Sequence, residues 1–253
     1  MAKPRLSVVI PSYNERKNFD RGVLDEVVSW LAKQPYTWEV ILTDDGSTDG
    51  TRELLQQFAD QHENVTCLLN KHGGKGPTVM AGMLSATGEY RLFSDFDQST
   101  PIVEVRKMWP YTIEGNDIII GSRAVQGAKR DKEPWYRHAM GKVFNLVVQI
   151  FALPGIQDTQ CGFKMFTAEA VETLFPKLVI YKDRERRDAF TGAFDVELLY
   201  LAKKHGYSIA EVPVLWKHNE SDRVNPIKDS IRMFIDILRI RLADLMGRYH
   251  VAK

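Results

Sequence analysis

The chain has 253 residues, of which 44% are hydrophobic, enough for one large α/β domain or two small ones. Its 34 basic and 33 acidic residues give a formal net charge of +1. This balance lacks the basic excess of nucleic-acid-binding proteins, so we expect no nucleic-acid partner. No signal peptide and no apolar run of about 18 residues are visible, and Cys67 and Cys161 form no disulfide framework. We therefore expect a cytoplasmic protein, at most attached to a membrane surface.

Apolar runs and helical patterns alternate through the first half of the chain. The predicted strands are Leu6–Ile10, Glu39–Thr43, Val65–Leu69, Tyr90–Ser94 and Asp117–Ile120. The predicted helices are Asn18–Ala32, Thr48–Gln61, with Ser47 or Thr48 as its N-cap, and Gly76–Thr87. This rhythm predicts an α/β fold with a mostly parallel central sheet and helices on both faces. Ligands of such sheets bind at the carboxyl ends of the strands.

The second half of the chain is less regular. We predict helices over Trp135–Leu153, Phe194–His205 and Ile227–Arg248, and strands over Phe163–Phe166 and Tyr207–Trp216. The expected division is one domain over residues 1–225 and a C-terminal amphipathic helix over residues 226–253.

Apolar residues of the final helix recur at spacings of three and four, which places Ile231, Phe234, Leu238 and Leu242 on one face. Arginines and aspartates interleave with them. Such a helix packs on the core with a salt-bridged outer face, or it lies in a membrane interface with its arginines at the headgroups. The sequence pattern alone favours the first interpretation, because charged runs are usually solvated faces.

Asp95-Phe96-Asp97 follows the predicted strand Tyr90–Ser94. Residues two apart on an extended chain point to the same side, so both carboxylates would face one spot. Magnesium binds through one or two carboxylates together with the phosphates of a substrate. This motif therefore predicts a metal–diphosphate site, although most Asp-x-Asp sequences are solvated turns.

Polar clusters also follow the other predicted strands. Pro11 to Glu15 and Asp44 to Thr51 offer groups that bind a nucleobase or ribose, and each cluster is equally consistent with a capped helix start. The basic loop Lys71–Gly76 suits a diphosphate, while His72 within it is expected to be a surface residue. Arg123 and Arg137 are candidates for binding anionic groups, although single arginines more often form surface ion pairs.

Taken together and in order, these clusters and Gly121-Ser122-Arg123 resemble glycosyltransferase family 2, with its GT-A fold. The segment Asp158-Thr159-Gln160-Cys161-Gly162-Phe163-Lys164 is similar to a motif of the dolichyl- and polyprenyl-phosphate glucosyltransferases, which are related to the dolichyl-phosphate mannose synthases. Phe194–Leu199, Glu211–Val214 and Ile231–Arg241 also resemble that branch. The resemblance extends from about Leu6 to Leu242.

The resemblance implies roles for residues throughout the chain. The residues that would bind the nucleotide sugar are Pro11, Tyr13, Glu15, Asp44, Lys75 and Asp95, and Asp97 with Asp95 would bind Mg²⁺ or Mn²⁺. The residues that would bind the acceptor phosphate are Arg123, Arg137, Lys217 and Arg223. Asp158 would lie near the sugar as a base or an orienting group. Gln98 stands next to Asp97 rather than two residues after it, as in the mannose synthases, so Gln98 is not assigned as a ligand.

The implied activity is inverting, metal-dependent transfer of a hexose, glucose being favoured, from a UDP-sugar to a polyprenyl or dolichyl phosphate. A lipid acceptor also makes the membrane interpretation of the final helix the favoured one, on the cytoplasmic face. Two alternatives remain open: a family 2 enzyme that uses GDP-mannose or a soluble acceptor, and a non-catalytic module that binds nucleotide sugars.

Overall fold

The computed structural model describes residues 3–131, 135–180, 192–218 and 226–249. Inside two of its helices, the side chains of residues 135–140, 142 and 226–230 lie outside the description. Of the predicted site residues, Arg223 lies outside the described residues, and so does the side chain of Arg137.

The first half of the chain alternates strands and helices as predicted. Its elements are β1 (Leu6–Ser12), α1 (Arg16–Asp20), α2 (Val23–Leu31), β2 (Trp38–Asp44), α3 (Thr51–Asp60), β3 (Val65–Leu69), α4 (Lys75–Ser85), β4 (Tyr90–Ser94), α5 (Trp109–Ile113) and β5 (Ile118–Ser122). The second half contains β6 (Lys129–Arg130), α6 (Trp135–Phe151), β7 (Phe163–Thr167), α7 (Ala168–Leu174), α8 (Phe194–Lys204), β8 (Ile209–Pro213), β9 (Leu215–Trp216) and α9 (Pro226–Leu245).

Within the described residues, seven strands form one sheet in the order β3-β2-β1-β4-β7-β5-β8. Neighbouring strands run parallel except at β7, which is antiparallel to both β4 and β5. The carboxyl ends of β1, β2, β4 and β5 therefore meet at one edge of the sheet. Because β7 runs the other way, the loop that precedes it reaches this same edge.

Alternate residues of the strands pack on opposite faces of the sheet, as the pleat requires. Val8 and Ile10 of β1 join a core cluster with residues of α2 and α3, whereas Val9 joins a second cluster with residues of α4. This arrangement confirms the predicted α/β class with a mostly parallel sheet and helices on both faces.

Three predicted elements differ from the structure. The predicted helix Asn18–Ala32 is two helices, because Gly22 between them has a positive φ of 74°. The predicted cap at Ser47 or Thr48 is wrong, since α3 begins at Thr51 after Gly50, whose φ is 88°. The predicted strand Tyr207–Trp216 is divided into β8 and β9, and β9 pairs with β6 in a separate two-stranded sheet.

The inner face of α9 packs against the same core as α6 and α8. Ile237 and Ile240 are fully buried there. Beyond the helix, the buried Tyr249 hydroxyl donates a 2.6 Å hydrogen bond to Glu197 of α8. The division at residue 225 stays a prediction. In the described ranges, no helix combines the length and the apolar character that crossing a bilayer requires.

Candidate active site

Most of the predicted site residues lie at the carboxyl edge of the sheet. Tyr13 and Glu15 follow β1, Asp44 ends β2, and Asp95 follows β4. Arg123 follows β5 at the same edge.

Asp44 ends β2 with a carboxylate that is fully buried. Its Oδ2 atom accepts hydrogen bonds from the backbone amides of Gly46, at 2.8 Å, and Ser47, at 3.0 Å. Arg52 lies 3.5 Å from the same oxygen. Among the described residues, the Oδ1 atom has no hydrogen-bond partner. A buried acceptor without a partner costs about 1–3 kcal/mol, so a ligand that donates to Oδ1 gains from this position.

Asp45 fixes the basic loop against this turn, a role that the sequence analysis missed. Its carboxylate accepts from the backbone amides of Gly73, at 2.7 Å, and Gly74, at 3.0 Å, and contacts His72 Nδ1 at 2.9 Å. The His72 ring stacks on Tyr13, with centroids 4.5 Å apart and planes inclined by 17°. His72, predicted to be a surface residue, keeps 21% of its side chain exposed and is otherwise buried in this stack.

The segment after β1 is bonded to the turn after β2. Asn14, with a φ of 53°, receives Thr48 N at 2.8 Å on its side-chain oxygen and donates its own amide to Ser47 Oγ at 2.8 Å. Glu15 donates its amide to Thr51 Oγ1 at 2.9 Å. Ser47 therefore joins two loops instead of capping a helix. Pro11, also a predicted nucleotide residue, lies within β1 opposite Thr43.

Lys75 and Asp95 form an ion pair between α4 and the end of β4. Lys75 Nζ lies 2.5 Å from Asp95 Oδ1. Burial alone would lower the pKa of Lys75, but the carboxylates of Asp95 and Asp195 raise it above its usual value. Lys75 is therefore a permanent cation beside Asp95.

Gly162, in the loop before β7, lies directly against Asp95. Its carbonyl accepts the Asp95 amide at 3.0 Å. A Cβ atom built on Gly162 would lie 1.9 Å from Asp95 Oδ2. The absence of a side chain at Gly162 is therefore what lets the Asp95 carboxylate take this position.

Asp97 lies in a turn rather than on a strand, because β4 ends at Ser94. Strand alternation therefore does not set the directions of Asp95 and Asp97. The Asp97 carboxylate accepts from the amide and the hydroxyl of Ser99, both at 2.9 Å. Gln98, with a φ of 49°, donates its side-chain amide to Ser94 Oγ at 2.9 Å. Within the described part of the chain, no three His, Cys, Asp or Glu side chains form a metal-binding group.

Arg123 and Asp158 form a bidentate ion pair at the far end of the edge. Arg123 Nε lies 2.7 Å from Asp158 Oδ2, and Arg123 Nη2 lies 2.9 Å from Oδ1. Burial would raise the pKa of the Asp158 carboxyl, but the Arg123 guanidinium lowers it to about 2. The same carboxylate raises the pKa of Arg123, although burial acts against it. Both groups are therefore charged throughout the physiological pH range.

Trp216 lies beside this ion pair and was also missed in the sequence analysis. The guanidinium carbons of Arg123 and Arg130 lie 5.5 and 5.2 Å from its ring centroid, within cation–π range. The next residue, Lys217, donates its backbone amide to the Ser99 carbonyl at 2.7 Å and has an exposed side chain. This bond brings the predicted phosphate residue Lys217 next to the Asp97 turn.

An exposed apolar face covers parts of α6 and α9. We call it the apolar face; its residues are Val143, Leu146, Ile150 and Phe151 of α6 and Ile231, Phe234, Ile235, Leu238, Leu242 and Leu245 of α9. The rings of Phe151 and Phe234 meet edge to face at 6.1 Å and join the two helices. The apolar stripe predicted for the last helix is therefore exposed and not covered by the described core.

Comparison with known proteins finds a matching family model and similar proteins of known name. Residues 7–175 match the family model described as glycosyl transferase family 2. A dolichyl-phosphate beta-glucosyltransferase from Dictyostelium discoideum is 35% identical, over 97% of this chain and 76% of that protein. The protein of the same name from Homo sapiens is 34% identical, over 98% of this chain and 78% of that protein.

Solved structures agree on the fold. Glucosyl-3-phosphoglycerate synthase from Mycobacterium tuberculosis, crystallised with Mn²⁺, UDP and its product, superposes with a TM-score of 0.63 at 15% identity, covering 99% of this chain and 81% of that one. Mannosyl-3-phosphoglycerate synthase from Rubrobacter xylanophilus gives 0.66 at 17% identity, covering 98% and 77%. At these identities the likeness establishes the fold, and it confirms the predicted GT-A fold.

Proposed function

This chain belongs to glycosyl transferase family 2 and is a glycosyltransferase, and we propose that it transfers glucose from UDP-glucose to the phosphate of dolichol or a related polyprenol. The names of its relatives support the glucosyl group and the acceptor. The β product in those names implies inversion, because the glucose of UDP-glucose is α-linked.

The main support for the proposal is that the loop before β7 contacts two ion pairs. The loop before β7 contacts the Lys75–Asp95 pair through Gly162 and holds Arg123 through Asp158. A diphosphate donor and a phosphate acceptor both need cations close to the reacting centre. In this proposal Lys75 binds the diphosphate of the donor, and Arg123 binds the phosphate of the acceptor.

The carboxylate of Asp44 supports uracil as the base. Uracil presents one ring N–H, at N3, whereas the corresponding edge of guanine presents N–H donors at both N1 and N2. Asp44 keeps Oδ2 occupied by two backbone amides and, among the described residues, has only Oδ1 without a partner. One acceptor matches one donor, so the site fits uracil better. Since Oδ1 is shielded from water, the base reaches it by displacing the groups that cover it.

A divalent cation, Mg²⁺ or Mn²⁺, fits the residues after β4. Asp97 and Asp95 supply hard carboxylate oxygens, and the described residues offer no protein-only cage, which suits an ion that shares phosphate and water ligands. Bound there, the cation would offset the negative charge that develops on the departing diphosphate. Lys75 adds a second positive charge on the same side, held in place by Asp95.

On the acceptor side, Arg123 orients the phosphate that attacks the sugar. A phosphate monoester has a second pKa of about 6, so its oxygen is already ionised near pH 7 and needs no base. Asp158 is bound to Arg123 through both oxygens and has a low pKa, which favours an orienting role over that of a base. We further propose that Arg137, Lys217 and Arg223 contact the same phosphate.

The apolar face supports attachment to a membrane surface, where the lipid acceptor resides. It spans two helices and includes Leu245, which is 80% exposed. An exposed apolar face flanked by arginines is typical of interfacial helices. Cys67 and Cys161 are both free thiols, which favours the reducing, cytoplasmic side.

The test is a donor screen. The purified protein is mixed with UDP-glucose, UDP-galactose, GDP-mannose or GDP-glucose, with Mg²⁺ or Mn²⁺ and a short polyprenyl phosphate, and release of the nucleoside diphosphate and formation of glycolipid are measured. We expect metal-dependent glycolipid with UDP-glucose. Turnover with GDP-mannose, or with glycerate phosphates in place of the lipid, would favour another family 2 activity. Nucleotide binding without any turnover would indicate a non-catalytic module.

A further inference from the structure

Lys164 of β7 is a fully buried lysine beneath the candidate site. Its ammonium donates a 2.5 Å hydrogen bond to Asp195 Oδ1, at the start of α8, and another to the carbonyl of Cys161. It also lies 5.1 Å from the ring centroid of Phe93. Since a buried charge must be paired and hydrogen-bonded, these contacts define one orientation of the side chain.

The position of Lys164 in the sheet places it between the two halves of the site. Lys164 is opposite Phe93 of β4 on one side and Ile120 of β5 on the other. Phe93 lies two residues before Asp95, and Ile120 lies three residues before Arg123. Lys164 is therefore adjacent to both strands that deliver the charged residues of the donor and acceptor sides.

The hydrogen bond to Cys161 acts on the loop that holds both sides together. Cys161 lies between Asp158, which binds Arg123, and Gly162, which lies against Asp95. A bond from an ammonium group is stronger than one between neutral groups, so it restricts the path of this loop. Asp195 also accepts from this ammonium, so Lys164 cannot change its orientation without losing its counter-ion.

Stability alone is a weak reason for such an arrangement. Replacement of a buried ion pair by apolar residues of similar volume is often neutral or stabilising. What apolar residues cannot supply is the directed bond to the Cys161 carbonyl.

We propose that Lys164, held by Asp195, is a positioning residue for glycosyl transfer: it fixes the loop 158–162 so that Asp158 presents Arg123 to the acceptor phosphate. The inference rests on the proposed function. It predicts a larger defect in use of the acceptor than in nucleotide binding, because Asp158, which holds Arg123, lies in this loop, whereas Lys75 keeps its direct ion pair with Asp95.

The test compares the wild type with the double variant Lys164→Met/Asp195→Leu, which removes the pair without leaving a charge buried. Arg91→Met is the matched control. Arg91 is also a buried cation of the sheet, bound to Glu172 at 2.6 Å and to the Met83 carbonyl at 3.1 Å, but its strand position lies further from the site. Thermal unfolding, UDP binding by calorimetry, and kcat and KM for both substrates are measured for each.

We expect the double variant to unfold cooperatively, to lose far less in affinity for UDP than in use of the acceptor, and to lose about 100-fold in kcat/KM for the polyprenyl phosphate. Arg91→Met should keep its kcat/KM even if it unfolds at a lower temperature. A folded double variant with wild-type kcat/KM for the acceptor would overturn the inference, and so would an equal loss in Arg91→Met.

Two further outcomes, an unfolded double variant and an inactive wild type, still test the inference. If the double variant does not fold, Asp195→Asn is measured in its place, because it weakens the ion pair with Lys164 but keeps a hydrogen-bond acceptor. A wild-type kcat/KM for the acceptor in that variant would overturn the inference. If the wild type shows no turnover, the proposed function fails. The role of Lys164 is then tested by calorimetry, which compares the binding of polyprenyl phosphate alone to the wild type and to the double variant. The inference then requires binding about 10-fold weaker in the double variant than in the wild type.

Discussion

Asp158 binds Arg123 at three atoms. Its carboxylate accepts from the backbone amide at 2.9 Å, from Nε at 2.7 Å and from Nη2 at 2.9 Å. The guanidinium is therefore fixed in direction as well as in charge. The N–H groups not directed at Asp158, two on Nη1 and one on Nη2, are the donors that it can offer to an anion. An arginine held this way loses little further freedom when it binds phosphate.

The first prediction concerns the pH dependence of this pair. The pKa of Asp158 is about 2 in the folded protein, below its ordinary value of 3.8. Its contribution to stability is therefore complete above about pH 4 and is lost as the pH falls towards 2. Since one pKa unit corresponds to about 1.4 kcal/mol, the contribution is about 2 kcal/mol.

Urea unfolding of the wild type and of Asp158→Asn between pH 7 and pH 2 measures this contribution. The difference in their free energies of unfolding should be constant down to about pH 4 and then shrink. A difference that stays constant to pH 2 would contradict the assignment. Asp20→Asn, at an exposed ion pair with Arg16, serves as a control that should change stability little.

The second prediction concerns Gly162. In Gly162→Ala the added Cβ would lie 1.9 Å from Oδ2 and 2.2 Å from the carboxyl carbon of Asp95, so the Asp95 side chain must rotate about its Cα–Cβ bond. That rotation breaks the 2.5 Å pair with Lys75. We expect a small change in melting temperature and a loss of about 10-fold or more in affinity for the metal–UDP complex, measured by calorimetry.

Gly141→Ala is the matched control, because nothing lies within 4 Å of a Cβ at that helical position. It should bind metal–UDP as the wild type does. If Gly162→Ala also binds as the wild type does, the contact between Gly162 and Asp95 does not matter for the donor.

Sequence alone predicts the elements and the residues at the ends of the parallel strands, because both depend on local patterns. The strand Tyr90–Ser94 is found with its predicted bounds, and Asp44, Asp95 and Arg123 follow from the ends of their strands. What local patterns cannot predict is which of these residues contact one another.

The partners of these residues depend on contacts far apart in sequence. Asp158 reaches Arg123 because β7 is antiparallel, which puts the loop before it at the carboxyl edge. Asp45 has its role only once the loop at His72 and Gly73 packs against it. Ser47 is a residue type that often caps helices, but its hydroxyl accepts the amide of Asn14 and does not cap α3.

The third prediction tests whether Asp44 recognises the nucleotide base. If Asp44 Oδ1 accepts the N3–H of uracil, a methyl group at N3 removes the donor and clashes with the oxygen. CDP, whose N3 is an acceptor, leaves Oδ1 without a donor. We expect N3-methyl-UDP and CDP to bind at least about 10-fold more weakly than UDP, measured by calorimetry with the wild type. Equal affinity for UDP and CDP would show that Asp44 does not read the base.

The fourth prediction concerns the apolar face. Phe234→Glu/Leu238→Glu places two charges in its α9 part, and Ile150→Glu places one in its α6 part. If both helices lie on the membrane, each variant should bind vesicles more weakly than the wild type in a flotation experiment with anionic liposomes. Charged side chains in an apolar environment are costly, and the loss should exceed the effect of one extra charge on electrostatic attraction.

Ile113→Glu controls for that extra charge. Ile113 is 84% exposed at the end of α5, outside the apolar face, so its replacement changes the net charge by one unit, as Ile150→Glu does. We expect this variant to float with liposomes as the wild type does. Equal flotation of all four proteins would exclude the apolar face as the membrane contact. A loss in the α9 variant but not in Ile150→Glu would limit the membrane contact to α9.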